Sequence, residues 1–129
     1  MLAAVDPLQD APGDQDNVQV LVSEILGNEN AHGLLVMRSG ERSGERFSLA
    51  LDRVEIGRNP ECTVCLDDVT VSRRHAELRL GNNGYVVTDM GSLNGTYVNQ
   101  ERVEEILLQN GDELQVGKYR MVFFDGANV

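Results

Sequence analysis

From residue 33 onward the apolar residues fall into short runs separated by glycine, asparagine and serine. Leu34-Leu35-Val36-Met37 is followed by a polar stretch from Ser39-Gly40 to Ser43-Gly44. Arg46-Phe47-Ser48-Leu49-Ala50-Leu51 alternates with period two, and Arg53-Val54-Glu55-Ile56 alternates again and stops at Gly57. Thr63-Val64-Cys65-Leu66 and Arg74 to Leu80 continue the series. Gly81-Asn82-Asn83-Gly84 reads as a hairpin turn, because Gly and Asn tolerate positive φ, with Tyr85-Val86-Val87-Thr88 as the return strand. After Gly91 to Gly95 come Thr96-Tyr97-Val98, a turn at Asn99-Gln100, and Asn110-Gly111-Asp112 leading into Glu113-Leu114-Gln115-Val116. Gly117-Lys118 then precedes Tyr119-Arg120-Met121-Val122-Phe123-Phe124. Period-two runs bounded by turn residues mark half-buried strands, and no stretch of this part sustains a helical period over three turns. Roughly ten short strands in about 95 residues predict an all-β sandwich, whose loops cluster at its two ends.

Residues 1–31 have a different texture. Through Asn17 they are rich in Asp, Gln, Pro, Gly and Ala without a period that would bury a face, so a flexible acidic tail is expected before a domain over residues 32–129. Within the tail, Val18-Gln19-Val20-Leu21-Val22-Ser23-Glu24-Ile25-Leu26 is more apolar and suits a short strand, a short helix or a segment that docks on something.

Charge narrows the functional classes. The formal net charge of the 129 residues is -10. Residues 1–37 contain the acids Asp6, Asp10, Asp14, Asp16, Glu24 and Glu29 and no Lys or Arg. A chain this acidic lacks the basic face that nucleic acid requires, so any phosphate recognition must be local. No apolar run is long enough to span a bilayer, and the N-terminus lacks the basic start and apolar stretch of a secretion signal. A cytoplasmic protein without a membrane partner is the expectation.

Candidate chemistry sits on loops. Cys62 and Cys65 have Cys-x-x-Cys spacing, but no helix pattern follows and His32 and His75 lack ligand-like spacing, so two reduced thiols are expected rather than a metal or redox site. No activated nucleophile, carboxylate pair, metal set, P-loop or dinucleotide fingerprint is present, which predicts a protein without catalysis or cofactor. Ser72-Arg73-Arg74-His75 places a hydroxyl, two guanidinium groups and an imidazole in four consecutive residues before a strand, a composition suited to an oxyanion. An exposed polar turn is the alternative for that segment alone.

Two other loops change the balance. Gly57-Arg58 after a strand, Ser72-Arg73-Arg74-His75, and Gly91-Ser92-Leu93-Asn94-Gly95-Thr96 with Asn99 beyond it occur in the order and with the strand spacing of the forkhead-associated (FHA) domain. The chain resembles that family over about residues 33–125. The resemblance implies an eleven-stranded sandwich that binds phosphothreonine peptides at one end, within Ser/Thr kinase signalling. It implies that Arg58 makes the main phosphate contact, that Ser72 and Arg73 add donors, and that Asn94 grips the peptide backbone. Gly57, His75 and Gly95 are expected to support the loops. The implied partner is a Ser/Thr kinase or its substrate carrying phosphothreonine.

The motifs from Leu66 to Glu77, from Gly91 to Asn99 and from Gly111 to Lys118 further resemble an actinobacterial group that includes the glycogen accumulation regulator and the oxoglutarate dehydrogenase inhibitor. That likeness implies an alternative, phosphorylation-independent restraint of 2-oxoglutarate dehydrogenase and of glutamate metabolism through the same surface. In that group a tail phosphothreonine occupies the chain's own domain. Here the first threonine is Thr63 and the only tail hydroxyl is Ser23, so that switch is not expected.

Overall fold

The computed structural model describes residues 31–126. The expected tail lies outside the described residues but for Ala31, as do the segment Val18–Leu26 and residues 127–129. The described part holds eleven strands and no α-helix. They are β1 (Gly33–Met37), β2 (Arg46–Leu49), β3 (Arg53–Gly57), β4 (Val64–Cys65), β5 (Ala76–Gly81), β6 (Gly84–Asp89), β7 (Thr96–Val98), β8 (Glu101–Val103), β9 (Glu105–Leu107), β10 (Glu113–Val116) and β11 (Tyr119–Asp125). One sheet has the order β2-β1-β11-β10-β7-β8 and the other β4-β3-β5-β6-β9. All pairings are antiparallel except the short parallel contact of β3 with β4.

Alternation along the strands builds the interior. Leu35, Met37, Leu114, Met121 and Phe123 from one sheet meet Val54, Ile56, Leu78, Tyr85 and Val87 from the other. The Tyr85 and Phe123 rings meet edge to face at 6.2 Å and 82°. The Tyr85 hydroxyl donates to the Leu51 carbonyl at 2.7 Å, which satisfies its polar end inside the sandwich. Outside the second sheet, ion pairs close the surface: Glu77 accepts from Arg53 and from Arg79, and Arg53 also reaches Glu55.

Several expectations shift at their boundaries. β2 ends at Leu49, leaving Ala50 and Leu51 exposed, and β4 keeps only Val64 and Cys65. β8 and β9 have no counterpart among the runs recognised in the sequence. They are outer strands of their sheets with mostly exposed residues, so their apolar signal is weak. In the hairpin after β5 only Gly84 has a positive φ, whereas Asn99 and Gln100 both do, at 52° and 71°. The Asn99-Gln100 turn is therefore the one built on two consecutive left-handed residues, the geometry that matches strand twist in a two-residue hairpin.

Candidate functional site

The loop from β4 to β5 is fastened to the interior at both ends. Leu66 and Val71 are buried members of the core, so only Asp67 to Thr70 project between them. Within that short projection the backbone closes on itself, from the Asp68 N–H to the Leu66 carbonyl (3.0 Å) and from the Val71 N–H to the Asp68 carbonyl (3.0 Å). Thr70 organises the tip. Its hydroxyl donates to Asp68 Oδ2 (2.6 Å) and accepts from the Lys118 N–H (3.0 Å), joining the turn after β10. Gly117 in that turn lies so close that a Cβ there would stand 2.5 Å from Thr70 Oγ1.

Asp68 also accepts from the Thr70 N–H and pairs with Lys118 Nζ at 3.2 Å. The Thr70 hydroxyl first, then its backbone N–H and Lys118, hold the Asp68 carboxyl down at about 2. A carboxyl depressed by folding stabilises the native state above its unfolded value of about 3.9, and that contribution fades as pH falls toward the folded value. The loop tip is therefore expected to keep its Asp68 bonds through pH 4 and lose them near pH 2. Carboxyl carbon shifts followed by NMR should give Asp68 a midpoint near 2, and Thr70→Val should raise it toward the ordinary range. An unchanged midpoint in that variant would remove Thr70 as the cause.

Arg58 begins the loop after β3, and backbone bonds zip this loop to the next one. The Arg58 N–H donates to the Ser72 carbonyl (3.0 Å) and the Asn59 N–H to the Arg73 carbonyl (3.2 Å). Gly57 makes the approach possible, because a Cβ there would lie 2.2 Å from the Arg73 carbonyl oxygen. The free thiols of Cys62 and Cys65 turn to different carbonyls, those of Arg73 (3.5 Å) and Arg58 (3.7 Å). Arg58, Asn59, Pro60 and Arg73 line a cavity of about 320 Å³. Neither guanidinium has a side-chain partner among the described residues.

His75 links the Ser72 loop to the Gly95 loop from within. It is fully buried; its Nδ1 accepts from the Ser72 N–H (3.1 Å) and its Nε2 donates to the Gly95 carbonyl (2.8 Å). Those bonds require the neutral imidazole with its proton on Nε2. The Ser72 hydroxyl accepts from the Leu93 N–H at 3.0 Å, which leaves its own proton available to donate outward. Gly95 has φ of 88° and sits under the Arg102 side chain.

The loop from β6 to β7 hangs on one carboxylate. Asp89 Oδ1 accepts from the Ser92 hydroxyl (2.5 Å) and the buried Thr96 hydroxyl (2.7 Å), and Oδ2 from the N–H groups of Gly91 (3.0 Å) and Ser92 (3.1 Å). Burial pushes the Asp89 carboxyl up, but the hydroxyl and backbone donors outweigh it and hold the group below its usual range. The loop presents Asn94, whose side-chain N–H donates to the Thr70 carbonyl at 2.9 Å. The carbonyl oxygen and second N–H of that amide remain available.

Of the candidate residues, Arg58 and Arg73 share one cavity and Ser72 is bonded to the loops on either side. Asn94 lines a neighbouring groove of about 440 Å³ with Thr70, Tyr97, Lys118 and Arg120. Gly57, His75 and Gly95 lie behind them. Sequence reasoning did not single out Thr70, Asp89, Gly117 or Lys118. The spacings Asp68-x-Thr70 and Asp89-x-x-Ser92 carried a signal, since an Asp commonly accepts from donors two or three residues on.

Three comparisons bear on this geometry. The FHA domain family model matches residues 54–117, which include all three loops. The glycogen accumulation regulator of Mycobacterium tuberculosis is 50% identical over 117 residues, covering 91% of this chain and 72% of that one. This chain belongs to the FHA-domain family. The oxoglutarate dehydrogenase inhibitor of Corynebacterium jeikeium is also 50% identical, over 103 residues covering 80% of this chain and 72% of the relative. Among solved FHA structures, one studied for phosphothreonine-dependent interactions superposes with TM-score 0.66 at 31% identity, covering 72% of this chain and 95% of that one. The FhaA FHA domain, solved in complex with the intracellular domain of another protein, gives TM-score 0.65 at 32% identity, with 70% and 98% covered. The eleven strands in two sheets are thus those of an FHA sandwich, and no helix among the described residues is long and apolar enough to cross a membrane.

Proposed function

We propose that this chain is a non-catalytic signalling module that binds phosphothreonine in a partner protein, a cytoplasmic Ser/Thr kinase or its substrate. The observation that carries the reading is that the guanidinium groups of Arg58 and Arg73, neither with a side-chain partner among the described residues, line one cavity, with the Ser72 hydroxyl between the loops accepting from the Leu93 N–H and retaining its own proton. A phosphothreonine brings close to two negative charges and three acceptor oxygens, which this donor set matches. Arg58 takes two oxygens as a fork; Ser72 and Arg73 take the remainder. Asn94 holds the ligand backbone as the peptide leaves the cavity for the groove beside Lys118 and Arg120. Residues 32–129 form the binding domain and residues 1–31 an acidic tail ahead of it.

Calorimetric titration with phosphothreonine, phosphoserine and unmodified forms of one peptide tests the reading. Micromolar binding of the first is expected, near -8 kcal/mol. The extra methyl is worth about 0.8 kcal/mol by burial, roughly fourfold over phosphoserine. Binding that is equal for all three peptides would end the proposal. Identity to the oxoglutarate dehydrogenase inhibitor favours a second reading, in which the same surface restrains 2-oxoglutarate dehydrogenase without phosphate. The unmodified dehydrogenase added as a further titrant separates the two: binding that survives phosphatase treatment of the enzyme selects the second.

A further inference from the structure

The groove beside Asn94 continues onto the outer face of the first sheet. Thr96, Val98, Leu114, Val116, Tyr119 and Met121 are buried, so alternation turns Tyr97, Gln115 and Arg120 outward. Register sets Arg120 opposite Gln115, Gln115 opposite Tyr97, and Tyr97 opposite Arg102. One row of side chains thus crosses β11, β10, β7 and β8, with an arginine at each end and two neutral polar groups between. Strands about 4.8 Å apart put the two arginine Cα atoms about 14 Å from each other, the span of roughly four extended residues.

The cations around this row are not equivalent. Arg38 is paired with Glu113 and Lys118 with Asp68. Arg102 and Arg120 are exposed and have no side-chain partner among the described residues. Glu101, next to Arg102 along β8, is set opposite the inward-facing Val98 and so lies on the other side of the strand. Arg102 is also seated. Its side chain lies across Gly95, where a Cβ would stand 2.8 Å from Arg102 Nε. Gly95 follows Asn94 and lines the groove, so the missing side chain there holds a guanidinium at the groove wall. In a chain of formal net charge -10, two unpaired cations beside one groove are a local exception. We propose that Arg102 and Arg120 bind acidic side chains of the partner segment that leaves the phosphate cavity past Asn94. The inference rests on the phosphothreonine reading, because that ligand delivers the segment to the groove. What it adds is the class of partner: a phosphothreonine flanked by a run of Asp or Glu. Each arginine offers a planar fork that matches a carboxylate, and its exposure makes each pair weak and sensitive to salt.

Titration of the full chain with three phosphothreonine peptides tests the proposal. They share one core and carry four Glu, four Gln or four Lys on each flank. At low salt the Glu form is expected to bind about fivefold tighter than the Gln form, and to lose that gain near 1 M salt, where the screening length is about 3 Å. Arg102→Ala should shrink the gain to about twofold and leave the affinity of the Gln form unchanged. Arg102→Glu/Arg120→Glu should invert the order, so that the Lys form binds tightest. Equal affinities of the Glu and Gln forms for the unaltered chain would overturn the proposal while leaving the phosphothreonine reading in place. A gain that survives Arg102→Glu/Arg120→Glu would overturn it too, by assigning the acidic preference to cations elsewhere. No binding of the Gln form, by contrast, would strike the phosphothreonine reading and this inference with it.

Discussion

Arg58→Ala should weaken phosphothreonine-peptide binding by about a hundredfold, or roughly 3 kcal/mol, while leaving the fold intact. Hydrogen bonds to charged groups contribute about 1.5–3 kcal/mol each, and a bidentate fork supplies two. The side chain has no intramolecular partner among the described residues, so its removal leaves no orphaned group inside the protein. Its backbone N–H, which holds the Ser72 carbonyl, is retained by alanine. Arg58→Lys should recover only part of the loss, because an ammonium keeps the charge but not the planar fork. Calorimetry for affinity and thermal unfolding for stability read the two quantities separately. A loss below about threefold, or a melting shift as large as the affinity change warrants, would remove Arg58 from the centre of the site.

Asp89→Ala should produce the largest loss of stability among the loop residues, about 2–4 kcal/mol in urea unfolding. One carboxylate satisfies two hydroxyls and two backbone N–H groups, and the Thr96 hydroxyl it serves is fully buried. An alanine there orphans Thr96 and frees the loop that carries Leu93 and Asn94. Peptide affinity should fall as well, since the Leu93 N–H orients the Ser72 hydroxyl. Asp89→Asn retains one oxygen and should lie between. A cost under about 1 kcal/mol for the alanine variant would show that the loop is held from elsewhere, for example by the His75–Gly95 bond.

Much of the sandwich was legible because burial alternates. Arg46-Phe47-Ser48-Leu49 reads directly as exposed, partly buried, exposed, buried, and β6 and β11 declare themselves in the same way. β8 and β9 did not, because strands at the margin of a sheet bury little and Glu101-Arg102-Val103-Glu104-Glu105 has no apolar period to find. The Asn99-Gln100 turn was visible, but its left-handed pair was not, since glutamine gives no such signal. At the site, charge and hydroxyl groups named Arg58, Ser72, Arg73 and Asn94 in the sequence. Their mutual placement depends on Thr70, which bonds Asp68, the Lys118 N–H and the Asn94 amide, and on Asp89, whose hydroxyl and backbone donors come from residues 91–96. Such residues look like ordinary turn composition until the chain is folded.

The anchoring of the β4–β5 loop by Leu66 and Val71, with His75 buried beside it, has a consequence for where function can be lost. Leu66, Val71 and His75, which help to place the ligand-facing groups, are also part of the buried interior. The arrangement of the cavity leans on the sandwich packing, so a change in β3, β5 or β10 that loosens that packing is expected to displace Arg58, Ser72 and Asn94 as well. Inactivating substitutions should therefore be scattered through the interior of both sheets as densely as over the loops. A survey scored on binding alone would trace the outline of the core before it traced the outline of the ligand.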